Sequence, residues 1–285
     1  MTGKPIQGGL FDAPPKPATV APPAALNLID LRLDLRQLWR AIRHDGRKLE
    51  DADDGYAVHC ALSALFAAAS VPKPFRTAPA DGKSMQMRVV AQSPLDLAAV
   101  KAAMDAAPDA WRAAVSDVQV HAIPLDQFVA GSKWQFWLHA RPTVRKHKDV
   151  SGTVGKRKDM QGKVRDLELD AYQIACEQDP DEMTRPTREM VYVQWLKAQL
   201  GDQKTCAVDE VGLRGWTLAP MYRKEGPATG SDTARRGRRL IGLPTADYSG
   251  QLTVLDAAAF SQLLARGIGR HRAFGLGMLL LKKAK

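Results

Sequence analysis

Cysteine is scarce in this chain, which has only Cys60, Cys176 and Cys206 among its 285 residues. Their number is odd and their spacing matches neither a zinc site nor a disulfide framework, which is typical of a protein from a reducing cytoplasm. The sequence also has no apolar run of transmembrane length and no signal-peptide apolar core at its N-terminus. We therefore expect a cytoplasmic protein with no membrane partner.

Complete nucleotide-binding motifs are also missing. A basic glycine-rich stretch, residues 267–277, follows a predicted helix and precedes a predicted strand, the reverse of the order in dinucleotide-binding folds. No Gly-Lys-Ser/Thr sequence closes this stretch as in a mononucleotide P-loop, and the sequence has no acid-rich metal constellation. These absences count against a small-molecule phosphate enzyme, so we expect neither a metal nor another cofactor.

Acidic residues are too few to balance the basic ones. The chain has 41 Lys and Arg against 31 Asp and Glu, a formal net charge of +10. The excess is uneven: residues 145–165 hold eight Lys or Arg against two Asp, and residues 266–285 hold six with no acid. Such patches indicate a polyanionic partner, and nucleic acid fits better than a membrane because no basic amphipathic helix is evident.

The glycine-rich stretch near the C-terminus is a candidate phosphate-binding loop. Four of its eleven residues are glycine, and glycine allows positive φ and lets main-chain N–H groups approach an anion closely. Arg270, His271 and Arg272 between the glycines add positive charge. A tight turn with solvated charges is the alternative. The glycines are Gly267, Gly269, Gly275 and Gly277.

Hydrophobic periodicity predicts an α+β protein. Residues 1–24 contain six prolines and are expected to form a flexible leader. Both remaining parts, residues 25–145 and 146–285, show a βαββαβ-like order of elements, which predicts two tandem ferredoxin-like domains. Strands are predicted over 25–35, 84–91, 118–123, 134–140, 208–221, 251–254 and 278–282, and helices over 55–69, 95–115 (broken near Pro108), 171–176, 189–200 and 257–266; residues 36–48 form either a short helix or a loop.

Tyr56 and His59 are the candidate reactive pair. They lie three residues apart on the predicted helix 55–69, so their side chains share a face near its N-terminus. That end of a helix carries partial positive charge and free N–H groups, which suits a phosphodiester. From the residues alone, a packing or surface histidine remains the alternative.

Several segments carry a resemblance to a known family. Residues 267–281 resemble the C-terminal glycine-rich loop and last strand of the RAMP superfamily of CRISPR proteins. The sequence Tyr56-Ala57-Val58-His59, followed by apolar residues, is similar to the Tyr-x-x-His of CasE-type endoribonucleases within it. Residues 136–142, which end in Ala-x-Pro, and the segment 193–201 also resemble those relatives. Together the similar segments cover most of residues 25–285.

The resemblance implies a fold and an activity. It implies tandem ferredoxin-like (RAMP/RRM-like) domains and a metal-independent endoribonuclease that cleaves CRISPR precursor RNA at repeat stem-loops. Attack by a 2′-hydroxyl would leave a 2′,3′-cyclic phosphate and a 5′-hydroxyl, with His59 as general acid or base and Tyr56 as its helper. The product crRNA would stay bound, together with other subunits of an RNA-guided effector complex.

One departure keeps a second function open. Some relatives have a basic residue further along this helix, where the present chain has the neutral Ser63 and Ala64. Charge stabilisation would then come from Arg43, Lys48 or Arg270. The alternative is a non-catalytic RNA-binding RAMP subunit of a CRISPR effector complex.

Further basic residues are expected to contact RNA. Four arginines surround Gly237 at a predicted hairpin tip that would press on a stem, with a disordered charged loop as the alternative. A basic turn follows the Ala-x-Pro segment, with a solvated turn as the alternative. The expected RNA-binding residues are Gly267, Gly269, Arg270, His271, Arg272, Gly275, Gly277, Arg235, Arg236, Arg238, Arg239, Arg141, Arg145, Lys146 and Arg43.

Overall fold

A computed structural model describes residues 23–46, 54–79, 85–145, 168–179, 181, 183–200, 204–218, 221–224, 238–242 and 244–284. Nearly all of the predicted leader lies outside these residues, as do Lys48, Lys146, Arg235 and Arg236. The side chains of Arg145, Arg238 and Arg239 are outside the description as well. Expectations about these residues therefore stay predictions.

The first half of the chain forms a four-stranded antiparallel sheet with its helices. Alternation along the first strand buries Ile29, Leu31 and Leu33 completely, as the period-two pattern predicts. The elements are β1 (Asn27–Asp34), α1 (Leu35–His44), α2 (Asp54–Leu65), β2 (Phe75–Pro79), β3 (Gln86–Ser93), α3 (Leu97–Asp105), α4 (Asp109–Arg112) and β4 (Val115–Ala122). The strand order is β2-β3-β1-β4.

Local signals explain where these helices begin and end. Asp34 caps α1 by accepting a hydrogen bond from the Gln37 N–H at 3.0 Å, and Asp96 caps α3 through the Ala99 N–H at 2.8 Å. The predicted break near Pro108 is confirmed, because α3 ends before this proline and α4 begins directly after it. Of the two alternatives for residues 36–48, the helix is the observed one.

The second half repeats the arrangement with a longer hairpin. Its elements are β5 (Lys133–Ala140), β6 (Thr143–Arg145), β7 (Glu168–Asp170), α5 (Ala171–Gln178), α6 (Arg188–Leu200), β8 (Cys206–Leu218), β9 (Met221–Lys224), β10 (Arg238–Ile241), β11 (Pro244–Val254), α7 (Ala257–Arg266) and β12 (Leu279–Lys283). The main sheet has the order β12-β5-β11-β8. In both halves the four principal strands, numbered along the chain, lie in the order 2-3-1-4, as in a ferredoxin-like fold. The predicted fold is confirmed.

The position of strand β5 differs from the one that the sequence pattern predicts. The sequence pattern groups residues 134–140 with the first half, but the structure pairs β5 with β11 and β12, so that Leu138 lies opposite both Tyr248 and Leu279. The first sheet is already complete with β4. By sheet membership the second half therefore begins at Lys133 and not at residue 146. Alternation shows that one face of a strand is buried, but it does not show which sheet the strand joins.

Each half has its own hydrophobic core. One core surrounds β1, β3 and α2, and the other surrounds β5, β11, α6 and α7.

Asp256 caps α7 through the Ala259 N–H at 2.9 Å, which confirms the predicted cap. Only part of the predicted arginine hairpin lies within the described residues. Its strand β10 pairs with β9, with Arg238 opposite Lys224, and residues 225–237 lie outside the description. Within the described ranges, no helix is long and apolar enough to cross a membrane.

Candidate functional site

Helix α2 presents His59 from an otherwise apolar element. Tyr56, Val58, Leu62 and Leu65 are buried in the first core. His59 is only partly buried. Because the core residues fix the rotation of α2, its histidine is held at the margin of the core, where its ring stays within reach of solvent or a ligand.

The structure brings the predicted pair Tyr56 and His59 together. Their ring centroids are 6.5 Å apart with planes inclined by 49°. Tyr56 is buried, whereas His59 lies further out. The spacing of three residues on one helix therefore has the consequence expected from the sequence, a shared face.

The glycine-rich loop reaches across the molecule to this histidine. Residues 272–274 form a short 3-10 turn, and the Phe274 ring lies 4.7 Å from the His59 ring, centroid to centroid, at 35°. On the other side, Phe274 lies 6.4 Å from His271. The loop and α2, predicted separately, therefore form one site. Sequence reasoning missed Phe274, although an aromatic residue inside a basic glycine-rich loop was a usable signal.

The four loop glycines have positive φ, as predicted, and two of them are required by backbone crowding. Gly267 and Gly277 have φ of +74° and +79°. A Cβ atom on Gly277 would lie 2.2 Å from the Ile268 carbonyl oxygen. One on Gly267 would lie 2.8 Å from the Gly277 carbonyl oxygen and from Cγ of Pro74. Glycine at these positions lets the two ends of the loop close on each other.

The other two glycines pack the loop against both halves of the protein. A Cβ atom on Gly269 would lie 3.1 Å from the Trp195 ring of α6, and one on Gly275 would lie 3.3 Å from the Phe75 ring of β2. The side-chain direction of every loop glycine thus points at protein atoms. These contacts assign the glycines a packing role, and phosphate binding by the loop stays a prediction.

Glu168 of β7 binds two of the cations that the sequence assigns to RNA. Its carboxylate forms an ion pair with Arg270 at 2.6 Å and contacts His271 Nε2 at 2.7 Å. The His271 side chain is 1% exposed, so it fastens the loop to β7 and does not face a ligand. This is a correction to the expected RNA contact. Glu168 was missed, although it is an acid placed just after the basic cluster.

Arg272 is half-buried at the end of α7, where its guanidinium donates a hydrogen bond to the Arg266 carbonyl oxygen. Burial lowers the pKa of Arg272, and the nearby charges of Arg266 and Arg270 lower it further. A cation near the last carbonyls of a helix is favourable. Arg272 therefore stabilises the loop, and the arginine itself remains partly exposed.

Two other predicted cations differ in their accessibility. Arg141 is 1% exposed, so in this structure it has no surface to offer to RNA, and the expected contact is corrected. Arg43 is exposed in the last turn of α1, which packs beside α2. Of these two, only Arg43 is exposed.

The described part of the chain contains no group of three or more His, Cys, Asp or Glu side chains arranged to hold a metal ion. None of Cys60, Cys176 and Cys206 forms a disulfide bond, and Cys60 and Cys206 are buried. The groups that the described residues bring together here are the His59 ring, the Tyr56 ring beside it and the arginines of the glycine-rich loop.

Comparisons with known proteins agree with this architecture. A family model described as CRISPR associated protein matches residues 28–283. A structure of the CRISPR endoribonuclease Cse3 bound to a 19-nucleotide RNA has a TM-score of 0.50 at 19% identity and covers 90% of this chain and 99% of that one. Thermus thermophilus Cse3, bound to an RNA representing a pre-cleavage complex, gives 0.52, also at 19% identity, with the same coverage.

A search of curated proteins finds no match to the chain. At 19% identity, the likeness to the two Cse3 structures establishes a shared fold. The family model goes further, because its match begins in β1, ends at the last residue of β12 and includes both α2 and the glycine-rich loop. On that match, the chain belongs to the CRISPR-associated protein family.

Proposed function

We propose that this protein is an endoribonuclease that cleaves CRISPR precursor RNA at repeat stem-loops without a metal ion. The observation that carries the proposal is the His59 ring, partly open on α2, with Tyr56 beside it and the Phe274 ring against it. Family membership and the RNA-bound Cse3 structures of the same fold support the choice of substrate.

His59 is the proposed proton-transfer group. Cleavage by 2′-hydroxyl attack needs a base that removes the hydroxyl proton and an acid that protonates the leaving 5′-oxygen, and an imidazole serves either step near neutral pH. The new bond joins the 2′-oxygen to phosphorus while the bond to the 5′-oxygen breaks. The products are a 2′,3′-cyclic phosphate and a 5′-hydroxyl, and the Tyr56 hydroxyl assists the proton transfer.

Arginines supply the proposed charge stabilisation. The transition state gathers negative charge on the phosphoryl oxygens, and fixed cations lower its energy. Arg43 is exposed beside α2, and Arg272 lies two residues before the Phe274 ring that touches His59. Arg270 contributes less because Glu168 already holds it at 2.6 Å. These arginines take the place of the basic residue that Ser63 and Ala64 do not provide.

After cleavage, the stem-loop product is proposed to stay bound and to enter an RNA-guided effector complex with other subunits. The arginines around Gly237 and the basic residues 145–165 carry the positive charge for this retention. Neither of these two groups of basic residues takes part in the proposed chemistry at His59, so RNA binding and RNA cleavage can be measured as separate properties.

A non-catalytic RNA-binding subunit is the second candidate. Two observations favour it: the neutral Ser63 and Ala64 on α2, and the contacts through which Glu168 holds Arg270 and His271. Such a subunit would bind a cognate stem-loop tightly and leave it intact.

The test is a cleavage assay on a cognate repeat stem-loop in excess EDTA, with a second substrate that carries a single 2′-deoxy sugar at the cut. We expect cleavage of the first substrate and none of the second, because the nucleophile is missing from the latter. End analysis should show a cyclic phosphate. Tight binding without cleavage, or cleavage restored only by a divalent cation, would contradict the proposal.

Phe274 is a positioning residue in this proposal, because its ring limits the rotation of the His59 imidazole. Replacing Phe274 by Ala should lower the single-turnover cleavage rate by about 10- to 100-fold, since small misplacement of a reacting group is costly. RNA affinity should change less than about two-fold, because the ring carries no phosphate contact.

The matched variants are Phe274→Tyr, which keeps a ring, and Phe274→Leu, which keeps an apolar side chain. A positioning role predicts a near-normal rate for the tyrosine variant and a reduced rate for the leucine variant. Equal rates for these two variants would show that Phe274 only fills space.

A further inference from the structure

The second sheet leaves one face open, and a tryptophan stands in the middle of it. Along β5, the residues Trp134, Phe136 and Leu138 are buried while Gln135 and Trp137 are exposed. Trp137 is 41% exposed although β5 is an interior strand, flanked by β12 and β11. An exposed indole on an interior strand offers a ligand a ring to stack on and an N–H that can donate a hydrogen bond.

A hollow lies beside this ring because its neighbours on the next two strands are small. Trp137 is opposite Ser249 of β11, and Ser249 is opposite Gly212 of β8. The hollow measures about 420 Å³, within the range of about 300–1,000 Å³ that is usual for small-ligand sites. Trp137 lines this hollow, and an indole of this kind can stack with a flat ring.

The other walls are polar, and their chemistry suits the edge of a nucleobase. Gln135 and Gln251 face each other across β5 and β11, and both line the hollow with Arg214 and Glu210. Amides supply donors and acceptors together, a guanidinium donates, and a carboxylate accepts. Arg214 is held in place, since its Nε donates to the Ser249 hydroxyl. The apolar side chains of the lining are Phe136, Trp137 and Val211, and the five polar ones outnumber them, which favours a nucleobase over an apolar protein side chain.

A second hollow continues the first and is lined by lysines. The two share Gln135 and Gln251, and the second, about 270 Å³ in volume, adds Lys282 and Lys283. Lys282 of β12 lies opposite Gln135, two residues along β5 from Trp137, or about 7 Å at the rise of a strand. A cation at that separation from a stacked base suits the adjoining phosphate.

The open face of the first sheet lacks this combination. Its hollow is lined by Asp30, Arg32, Arg88 and Asp117, and the Arg88 guanidinium is paired with Asp30 at 2.5 Å. The side chains described as lining it include no Phe, Tyr or Trp, and their one ring is the imidazole of His121. Charged side chains on that face pair with one another. We therefore propose no nucleotide site on the first sheet.

We propose that the open face of the second sheet binds an unpaired nucleotide of single-stranded RNA, with its base stacked on Trp137 and its phosphate near Lys282. Sheet faces of this fold type present aromatic side chains to unpaired bases in other RNA-binding modules. The Ser249 hydroxyl and the two amides give a ribose 2′-hydroxyl partners that deoxyribose would not use. The site requires neither cleavage nor a stem, and it rests on the proposed function only in the choice of RNA over DNA.

The test measures binding of a short, unstructured, fluorescein-labelled oligoadenosine to the full-length protein by anisotropy. Trp137→Ala should weaken binding by at least about 5-fold, the lower end of the effect of removing one stacking aromatic. Trp137→Phe should stay close to wild type. Met190→Ala removes an exposed side chain from α6, which packs on the opposite side of β8, and should have no effect.

Further measurements distinguish this site from non-specific binding and from the site at His59. An oligodeoxyadenosine of the same length should bind more weakly than the RNA, and stem-loop cleavage should be unchanged in Trp137→Ala, which separates this site from His59. If Trp137→Ala does not fold, photocrosslinking of the wild-type protein to 4-thiouridine RNA should label the peptide that contains residues 134–140. Equal affinity of wild type and Trp137→Ala, equal affinity for DNA, or absence of that crosslink would overturn the proposal.

Discussion

Replacement of His59 by alanine is expected to reduce cleavage of a cognate stem-loop by about 10²- to 10⁴-fold, the usual contribution of a general acid or base. The partly buried imidazole on α2 is the proposed proton-transfer group, and its removal would leave the Phe274 ring facing an empty position. The stem-loop affinity should stay within about two-fold of wild type, because the proposed phosphate contacts are made by other residues. Single-turnover gel assays and filter binding measure the two quantities separately.

His121→Ala is the matched control for this variant. His121 is an exposed histidine on β4, at the open face of the first sheet, so its loss tests whether any histidine on the surface affects the assay. We expect a normal cleavage rate from it. A His59→Ala protein that cleaves within about three-fold of wild type would remove His59 from proton transfer, since that loss lies far below a general-acid contribution.

Replacement of Gly277 by alanine is expected to cost at least about 3 kcal/mol of the free energy of unfolding and to lower cleavage as well. Two penalties combine at this position. The backbone has φ of +79°, which L-residues other than glycine rarely adopt, and the new Cβ atom would lie 2.2 Å from the Ile268 carbonyl oxygen. The loop must open to relieve this contact, and Phe274 then moves away from His59.

Gly131→Ala separates the two penalties. Gly131 has φ of +86°, but a Cβ atom added there would meet no heavy atom within 4 Å, so this variant carries only the cost of the left-handed backbone, about 1–2 kcal/mol. Urea unfolding of both variants gives their midpoints. If the slopes of free energy against urea are equal, the difference between the midpoints reports the part of the destabilisation that is due to crowding. If Gly277→Ala is no less stable than Gly131→Ala, the closed loop described here is wrong.

Local signals in the sequence account for most of the elements. Alternation along β1 and β5, the break at Pro108 and the Asp256 cap depend only on neighbouring residues, and α7 covers residues 257–266 as predicted. The same holds for the positive φ of the loop glycines and for the shared face of Tyr56 and His59. These features could be predicted because the covalent chain and its immediate hydrogen bonds decide them.

What the sequence by itself determined is therefore the α+β class, most of the helices and longer strands but not β2, and the residue types that can move a proton. Only the tertiary structure decided that β5 joins the second sheet, that Phe274 lies against His59, and that Arg141 and His271 are buried. The reason is physical: sheet partners and ring contacts join residues far apart along the chain, whereas periodicity and charge report only on near neighbours. A charged residue predicts a surface position on average, but a specific partner such as Glu168 can hold it inside.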